Sequence, residues 1–169
     1  MSRVDRVDLP QHSVLKPLYA KAGFADAFAI DLPSNATGDA GRLAAHVLLG
    51  QPRWIGWLVA LRDTLVAGFG LKTSAELRDD VATDRLDFFR VYDRRHDEII
   101  LGEDDRHLDF RLSVLVEESA LCRRLVATTV VTFNHFGGRV YIAGIAPFHR
   151  LIVKSSLRRA ERSGWPPEL

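Results

Sequence analysis

Residues 107–118, HLDFRLSVLVEE, alternate apolar and polar side chains more regularly than any other part of the chain. Successive side chains of a β-strand point to opposite faces of a sheet, so this period of two predicts a strand with two unlike faces. One face carries Leu108, Phe110, Leu112, Val114 and Val116, and the other carries His107, Asp109, Arg111 and Ser113. Burying each apolar side chain is worth about 1.5–3 kcal/mol, whereas burying Asp109 with Arg111 would be costly. We therefore expect an apolar core face and a charge ladder on the outer face.

The same period of two appears on both sides of this segment. The chain is predicted to form a first strand over 24–33, then strands over FFRVYD, EIILG and RRLVATTVVTFNHF, with polar turns between the later ones. Gly137 and Gly138 predict a two-residue hairpin, because both residues tolerate positive φ. That hairpin would place Phe133 opposite Ile142 and lead into a last strand containing Val140 and Ile142.

Helical spacing occurs in three places. Asp39 is a suitable cap for a helix to about Leu49, and PRWIGWLVALRDTL carries an amphipathic stripe that predicts a second helix. Pro147 is predicted to begin a long helix to about Ser163. Its expected inner stripe is Phe148, Leu151, Ile152 and Ser155, with Arg150, Lys154, Arg158 and Arg162 facing out. The expected fold class is α+β: a curved antiparallel sheet wrapped around a long C-terminal helix, with two short helices between the first and second strands.

Composition restricts the class of protein. The chain has 169 residues, of which 47% are hydrophobic and 27% charged, which indicates one globular domain over 1–169. Its single cysteine, Cys122, cannot form an internal disulfide and fits the cytoplasm. No apolar run approaches the ~20 residues of a membrane span, and MSRVDRVDLPQHS lacks the apolar core of a signal peptide. A net charge of +1 gives no reason to expect nucleic acid as a partner.

Three segments, LRDTLVAGFGLK, LGEDDRHLDFRLSV and GRVYIAGIAPFHRLIVKSSLRRA, resemble a bacterial family of unknown function in the START and birch-pollen-allergen-like (SRPBCC) superfamily. The resemblance extends from about Val7 to Ala160. It implies a helix-grip fold with a ligand-binding cavity between the sheet and the C-terminal helix, and it implies no activity. Some members of that family are similar to C-terminal extensions of NAD(P)-binding short-chain reductase-like proteins.

The leading functional hypothesis is a binding module for a small hydrophobic or amphipathic molecule, without a cofactor. The residues expected to contact the ligand are Trp57, Phe110, Leu112, Val131, Phe133, Ile142, His149 and Leu151. An enzyme of the cyclase, dehydratase or hydrolase kind is the alternative, and it needs ionisable groups that converge in the same cavity. Asp26, His149 and Arg111 are the candidates for those groups.

A third hypothesis is an accessory domain that uses its outer sheet face to form a homodimer or to contact a reductase. The sequence offers little support for other sites. The six histidines lack metal-ligand spacing, GFGLK lacks the context of a phosphate loop, and no nucleophile elbow is present. We expect His149 to be neutral, because the N-terminus of a helix disfavours an imidazolium.

Overall fold

The computed structural model describes residues 3–49, 84–86, 89–104, 108–119, 122–134 and 136–168. Seven strands and three helices lie within these ranges. In chain order they are β1 Asp5–Val7, α1 Lys16–Tyr19, β2 Phe24–Leu32, α2 Ala40–Leu48, β3 Arg85–Leu86, β4 Phe89–Arg94, β5 Glu98–Asp104, β6 Leu108–Glu118, β7 Arg123–Phe133 and α3 Phe136–Arg162. None of the helices in these ranges is both long enough and apolar enough to cross a bilayer.

The strands form one curved, open antiparallel sheet in the order β1-β2-β7-β6-β5-β4-β3. Strand β7 is the third strand in this order and pairs along its whole length with β6 on one side. On its other side it pairs with β2, from Phe24 opposite Val131 to Leu32 opposite Arg123. The fold is therefore α+β, as the sequence predicts.

Most of the predicted elements are confirmed. Strand β2 and strands β4 to β7 lie where the period of two places them. Helix α2 begins after Asp39, whose carboxylate accepts a hydrogen bond of 2.8 Å from the backbone N–H of Arg42. Such a cap satisfies one of the free N–H groups of the first helical turn. The second predicted helix, over 52–65, lies outside the described residues.

The predicted hairpin at Gly137 and Gly138 is wrong. Both glycines and the following residues belong to α3, which runs from Phe136 through Pro147 to Arg162. The topology supplies the reason: a strand that continued from β7 through a tight turn would need a free edge of β7. Strands β2 and β6 already occupy both edges, so the chain leaves the sheet after Phe133.

The predicted inner stripe of the last helix is also wrong in part. Phe148 and Leu151 are 54% and 55% exposed, while Ser156, Leu157 and Ala160 are buried. Lys154, expected to face out, is half-buried, and its ammonium lies 5.3 Å from the centre of the Phe28 ring. The helix is thus rotated relative to the prediction, so that its Arg150–Lys154 side lies along β2.

We call the sheet face that meets α2 and α3 the inner face. Its main cluster contains Phe28 and Ile30 of β2, Val114 of β6, Leu125 of β7 and Leu157 of α3. Val114 and Val116 are buried here and Leu112 packs against the cluster, so the predicted orientation of the apolar side of β6 is confirmed.

The outer face is less exposed than the predicted charge ladder requires. Residues 7–22, which we call the N-terminal cover, pack against it through Leu15 and neighbouring side chains, and Leu15 contacts a cluster with Ile100 and Val130. Ser113 is fully buried beneath this layer, and Arg111 is half-buried. His107 lies outside the described residues. The ladder faces the predicted side, but the prediction that it is exposed is wrong, because the chain supplies its own second layer.

Candidate functional site

Helices cover one part of the inner face of the sheet, and the other part stays partly exposed. We call these parts the closed half and the half-open half. In the closed half, α2 and the C-terminal part of α3 bury Phe28, Ile30, Val114 and Leu125 almost completely. Strand pairing then aligns the next residues in rows across β2, β7 and β6: Asp26, Thr129 and Leu112, followed by Phe24, Val131 and Phe110. The boundary between the two halves therefore falls at the row of Asp26.

Large apolar side chains of the half-open half keep part of their surface in contact with solvent. They are the half-buried residues Phe24, Phe89, Leu108, Phe110, Leu112 and Phe133. The ring of Phe110 contacts that of Phe89, with centroids 5.4 Å apart. The Phe133 ring lies against the backbone at Gly23, where an added Cβ would approach it to 2.1 Å. Because proteins normally bury such rings, a cluster that stays half-exposed makes this part of the face the candidate functional surface.

Asp26 places one buried carboxylate at the edge of this apolar surface. Its side chain is only 1% exposed. Its position follows from the strand, since it alternates in phase with Phe24 and Phe28 and must share their face. A buried carboxylate is costly unless cations or hydrogen-bond donors compensate for its lost hydration.

Two consecutive residues of α3 provide that compensation. His149 Nε2 lies 3.4 Å from Asp26 Oδ1, and Arg150 Nε lies 3.3 Å from Asp26 Oδ2. The imidazole also meets the Phe24 ring edge-on, with centroids 5.9 Å apart. Neither Asp26 Oδ1 nor His149 Nε2 has a hydrogen bond within the described residues, although both atoms are buried. The site thus contains an acceptor and a ring nitrogen that are close but incompletely satisfied.

The residues predicted from the sequence fall into three groups. Phe110, Leu112 and Phe133 are half-buried on the half-open part of the inner face, and Val131 is buried in the same part. His149 lies at its polar edge, next to Asp26. Leu151 is exposed on α3. Trp57 lies outside the described residues, and for Ile142 only the helical backbone is described.

Arg111, the third predicted polar candidate, lies away from Asp26 and His149. It projects from the outer face, where its guanidinium stacks 3.6 Å from the centre of the Tyr92 ring and Nη2 lies 2.6 Å from Asp104 Oδ1. Burial, together with the hydrogen bond to Asp104, raises the pKa of Tyr92 to about 12. Burial would raise the pKa of Asp104, but hydrogen bonds from Arg111 and Tyr92 outweigh it and hold that pKa below its usual value. The proposed grouping of Arg111 with Asp26 and His149 is therefore wrong.

Arg150 was missed as a site residue, because helical spacing alone placed it on the outer side of the last helix. The signal that could have found it is Asp26, since a carboxylate in phase with buried phenylalanines needs a cationic partner. The sequence also gave no indication of Glu98, a second buried carboxylate. It lies under the N-terminal cover and accepts hydrogen bonds from Ser13 Oγ, Ser113 Oγ and the backbone N–H of Val14, at 2.5, 2.6 and 2.9 Å.

A polar groove of about 720 Å³ lies at the opposite end of the sheet, near the turn from β6 to β7. Its lining includes His12, His96, Glu117, Cys122, Arg123 and Arg124. Most of its charges are paired: Arg124 contacts Glu117 at 2.6 Å, and Arg123 contacts Glu118 at 2.8 Å. Across the described ranges, no three His, Cys, Asp or Glu side chains are grouped closely enough to hold a metal ion.

The comparisons with known proteins identify the family and nothing finer. A family model described as "Protein of unknown function (DUF2867)" matches residues 18–156. The match covers well over half of the chain, from α1 into α3, so the chain belongs to this family. No curated protein and no solved structure matches it.

Proposed function

We propose that this member of the DUF2867 family binds a small amphipathic molecule on the half-open part of the inner face. The apolar body of the ligand would lie against Phe24, Phe110 and Phe133. Its polar group would meet His149 and Arg150 at the edge of that surface. The observation that carries the proposal is the division of one sheet face into a closed half and a half-open half, with buried Asp26 at the boundary.

The chemistry of the two parts supports an amphipathic ligand over a purely apolar one. Covering half-buried phenylalanine and leucine rows removes apolar surface from water, at roughly 25 cal/mol per Å². The adjacent polar groups are incompletely satisfied, and placing an apolar group against them would leave them desolvated. A molecule with an apolar body and one polar end would cover the apolar surface and also give the polar groups a partner. Small-molecule sites usually combine an apolar lining with a few polar groups in this way.

The first experiment asks whether the surface binds an uncharged apolar probe. We expect N-phenyl-1-naphthylamine to gain fluorescence on binding to the purified protein, with saturation at one equivalent. Phe110→Ala should weaken this binding by at least about fivefold, because the substitution removes roughly one aromatic contact from the site. Native mass spectrometry before and after solvent extraction would show whether the purified protein already carries a ligand.

Phe148→Ala is the matched control, since the same substitution removes an exposed ring from α3. Its probe affinity should equal that of the unchanged protein. Absence of saturable binding would end the proposal, as would equal affinities for the Phe110→Ala and Phe148→Ala proteins, provided that both variants are folded by circular dichroism.

The Asp26–His149 pair favours a second candidate function, general acid–base catalysis on a ligand held at the same place. A carboxylate that contacts one nitrogen of an imidazole orients the ring, so that its other nitrogen can accept a proton from a bound molecule. The separation of 3.4 Å between Oδ1 and Nε2 places the two groups within reach of such cooperation. This candidate corresponds to a hydrolase, dehydratase or cyclase.

Hydrolysis of p-nitrophenyl butyrate gives a first test of this second candidate. A general base contributes about 10²–10⁴-fold to a rate, so His149→Gln should lower the hydrolysis rate by at least about 100-fold. Asp26→Asn should lower it as well. Equal rates for the unchanged and the His149→Gln proteins would reject catalysis at this pair and would leave ligand binding untouched.

Kinship with the SRPBCC superfamily, and with it a helix-grip fold, is part of the proposal. The strand order, with β7 between β2 and β6 and a long helix α3 along the inner face, supports it. An accessory role beside a reductase is the remaining alternative and rests on the sequence resemblance alone. Co-purification with a reductase-like protein and no binding of the apolar probe would favour that alternative.

A further inference from the structure

The polar edge of the proposed site carries more positive than negative charge. Arg150 and Lys154 lie one turn apart on the side of α3 that follows β2, and each guanidinium or ammonium group approaches a ring of that strand, Phe24 or Phe28. Within the described residues, the carboxylate that these basic side chains contact is that of Asp26, through Arg150. Two permanent cations therefore accompany one anion in this part of the described structure.

Exposure decides which of these charges a ligand would meet. The Asp26 side chain is 1% exposed, whereas the side chains of His149 and Arg150 are 25% and 42% exposed. His149 and Arg150 lie over the two carboxylate oxygens, Oδ1 and Oδ2 respectively. An approaching head group therefore meets these two basic side chains before it meets the carboxylate.

Arg150 retains donors for such a head group. Its Nε is directed to Asp26 Oδ2 at 3.3 Å. Its two terminal nitrogens have no hydrogen-bond partner in the described part of the chain, and a planar guanidinium can present them together to a carboxylate. By fixing Nε, Asp26 reduces the rotational freedom that Arg150 would lose on binding an anion.

Lys154 extends the same positive region along the helix. Its Nζ lies 5.3 Å from the centre of the Phe28 ring, within the range of a cation–π contact. Across the ranges that the structure describes, it makes no ion pair with a carboxylate. Arg158, the next basic residue in the series, is exposed and marks where this row leaves the sheet.

We propose that the ligand carries an anionic head group, a carboxylate on an apolar body, which Arg150 receives as a planar pair of hydrogen bonds and Lys154 attracts through its charge. This inference rests on the proposed binding function and specifies its ligand class. Recognition is thus set by Arg150, which the buried carboxylate of Asp26 holds in place, and by Lys154 one turn further along α3.

Three ligands that differ only in the head group test the inference. Decanoic acid, 1-decanol and decylamine are titrated at pH 7.5, below their aggregation concentrations, into protein that holds N-phenyl-1-naphthylamine. Charge-assisted hydrogen bonds are stronger than neutral ones. We therefore expect decanoate to displace the probe with an affinity roughly tenfold higher than decanol, and decylamine to be weakest.

Substitutions that remove the charge but keep a polar side chain locate the effect. Arg150→Gln and Lys154→Gln should each weaken decanoate binding by about three- to tenfold, since each removes one charged donor. In both variants the affinities for decanol and for the probe should fall less than the affinity for decanoate, because neither molecule carries a negative charge. Arg158→Gln removes the same charge from the exposed side of the same helix and should alter none of the three affinities.

The outcomes separate this inference from the function on which it rests. Equal displacement by decanoate and decanol, or tightest binding of decylamine, would overturn the anionic head group while the bound probe upheld the apolar site. Equal loss of decanoate affinity in the Arg158→Gln protein would also overturn it, because the effect would then be one of overall charge. Failure of the probe to bind at all would reject the proposed function itself.

Discussion

Two carboxylates are buried on opposite faces of the sheet, and their surroundings differ. Glu98 accepts hydrogen bonds from two serine hydroxyls and one backbone N–H. Asp26 contacts two basic side chains at 3.3 and 3.4 Å and keeps one oxygen without a hydrogen bond within the described residues. Fully satisfied buried groups fix a structure, whereas incompletely satisfied ones are typical of functional positions. We therefore expect Glu98 to stabilise the fold, and we propose Asp26 as a residue of the candidate site.

Replacement of Glu98 should reduce stability strongly. In the Glu98→Ala protein, the Ser13 hydroxyl, the Ser113 hydroxyl and the Val14 N–H lose their acceptor in a buried place, at about 1–3 kcal/mol for each group that remains unsatisfied. We expect the free energy of unfolding in urea to fall by roughly 2–5 kcal/mol.

Glu118→Ala is the control for that measurement, because the Glu118 side chain is 67% exposed and exposed ion pairs contribute little. Its free energy of unfolding should stay within about 0.5 kcal/mol of the unchanged protein. Similar losses in the two variants would contradict the structural role of Glu98.

Tyr92 should make stability depend on alkaline pH. Its pKa in the folded protein is raised from 10.0 to about 12, so the folded state holds the phenolic proton more firmly than the unfolded chain. The resulting stabilisation is complete below pH 10 and is lost as pH rises towards 12. In urea titrations between pH 9 and 12, the Tyr92→Phe protein should lose stability less steeply than the unchanged protein. Identical slopes would contradict this assignment.

At the scale of elements, period and capping predicted most of the sheet and the C-terminal part of the last helix, but not the part of that helix before Pro147. Strands β4 to β7 alternate clearly, and Asp39 marks the start of α2. Residues 137–146 were wrongly predicted to form a hairpin and a strand, because β-branched and aromatic residues between glycines favour strands locally. Tertiary structure overrode that preference, since β7 already has neighbours on both edges.

The candidate site could be predicted in part, because strand alternation indicates which side chains share a face of the sheet. The alternation of β2 places Asp26 among buried rings, and the position of His149 suggested a contact with the cavity. Arg150 could not be assigned from helical spacing, because the rotation of α3 against the sheet depends on packing that the sequence does not express locally. The burial of Ser113 and Glu98 beneath the N-terminal cover could not be predicted either, since residues 7–22 have no regular hydrophobic period.

The same substitution in a helix and in a strand should change stability in opposite directions. A Cβ at Gly144, inside α3, would meet nothing within 4 Å, whereas a Cβ at Gly102, in β5, would lie 2.2 Å from the carbonyl oxygen of Phe110. Gly144→Ala should raise the free energy of unfolding by about 0.5–1 kcal/mol. Gly102→Ala should lower it by about 1–3 kcal/mol.

Thermal and urea unfolding of both glycine variants would measure these changes. A loss of stability in the Gly144→Ala protein would argue against a helix at this position. An unchanged Gly102→Ala protein would show that β5 and β6 can separate more easily than their register indicates.

At the scale of the whole molecule, the sheet is a middle layer. Helices α2 and α3 cover part of its inner face, and the N-terminal cover shields Ile100, Val126 and Val130 on its outer face. The first strand of the sheet, β1, adds only three residues beside β2. Residues that precede the predicted first strand are therefore part of the packed structure, which length and composition could not reveal.

Leu15 should contribute as much to the free energy of unfolding as a residue of the main core, although it lies in an irregular segment. It is 2% exposed, and truncation of a buried leucine costs about 2–5 kcal/mol. We expect Leu15→Ala to reduce the free energy of unfolding by that amount. Leu151→Ala is the matched control on an exposed leucine and should change it by less than about 0.5 kcal/mol. A small effect at Leu15 would indicate that the cover detaches readily.

The neighbours of β2 also determine when the chain can complete its sheet. Phe24–Leu32 pair with a strand about a hundred residues later, so this apolar segment must wait on the ribosome until Arg123–Phe133 has left the exit tunnel. Until then, the partner of this apolar strand among the described residues is the three-residue β1, and such an exposed apolar strand favours chaperone binding. Nascent chains arrested before β7 should be sensitive to protease throughout β2, and chains arrested after it should be resistant.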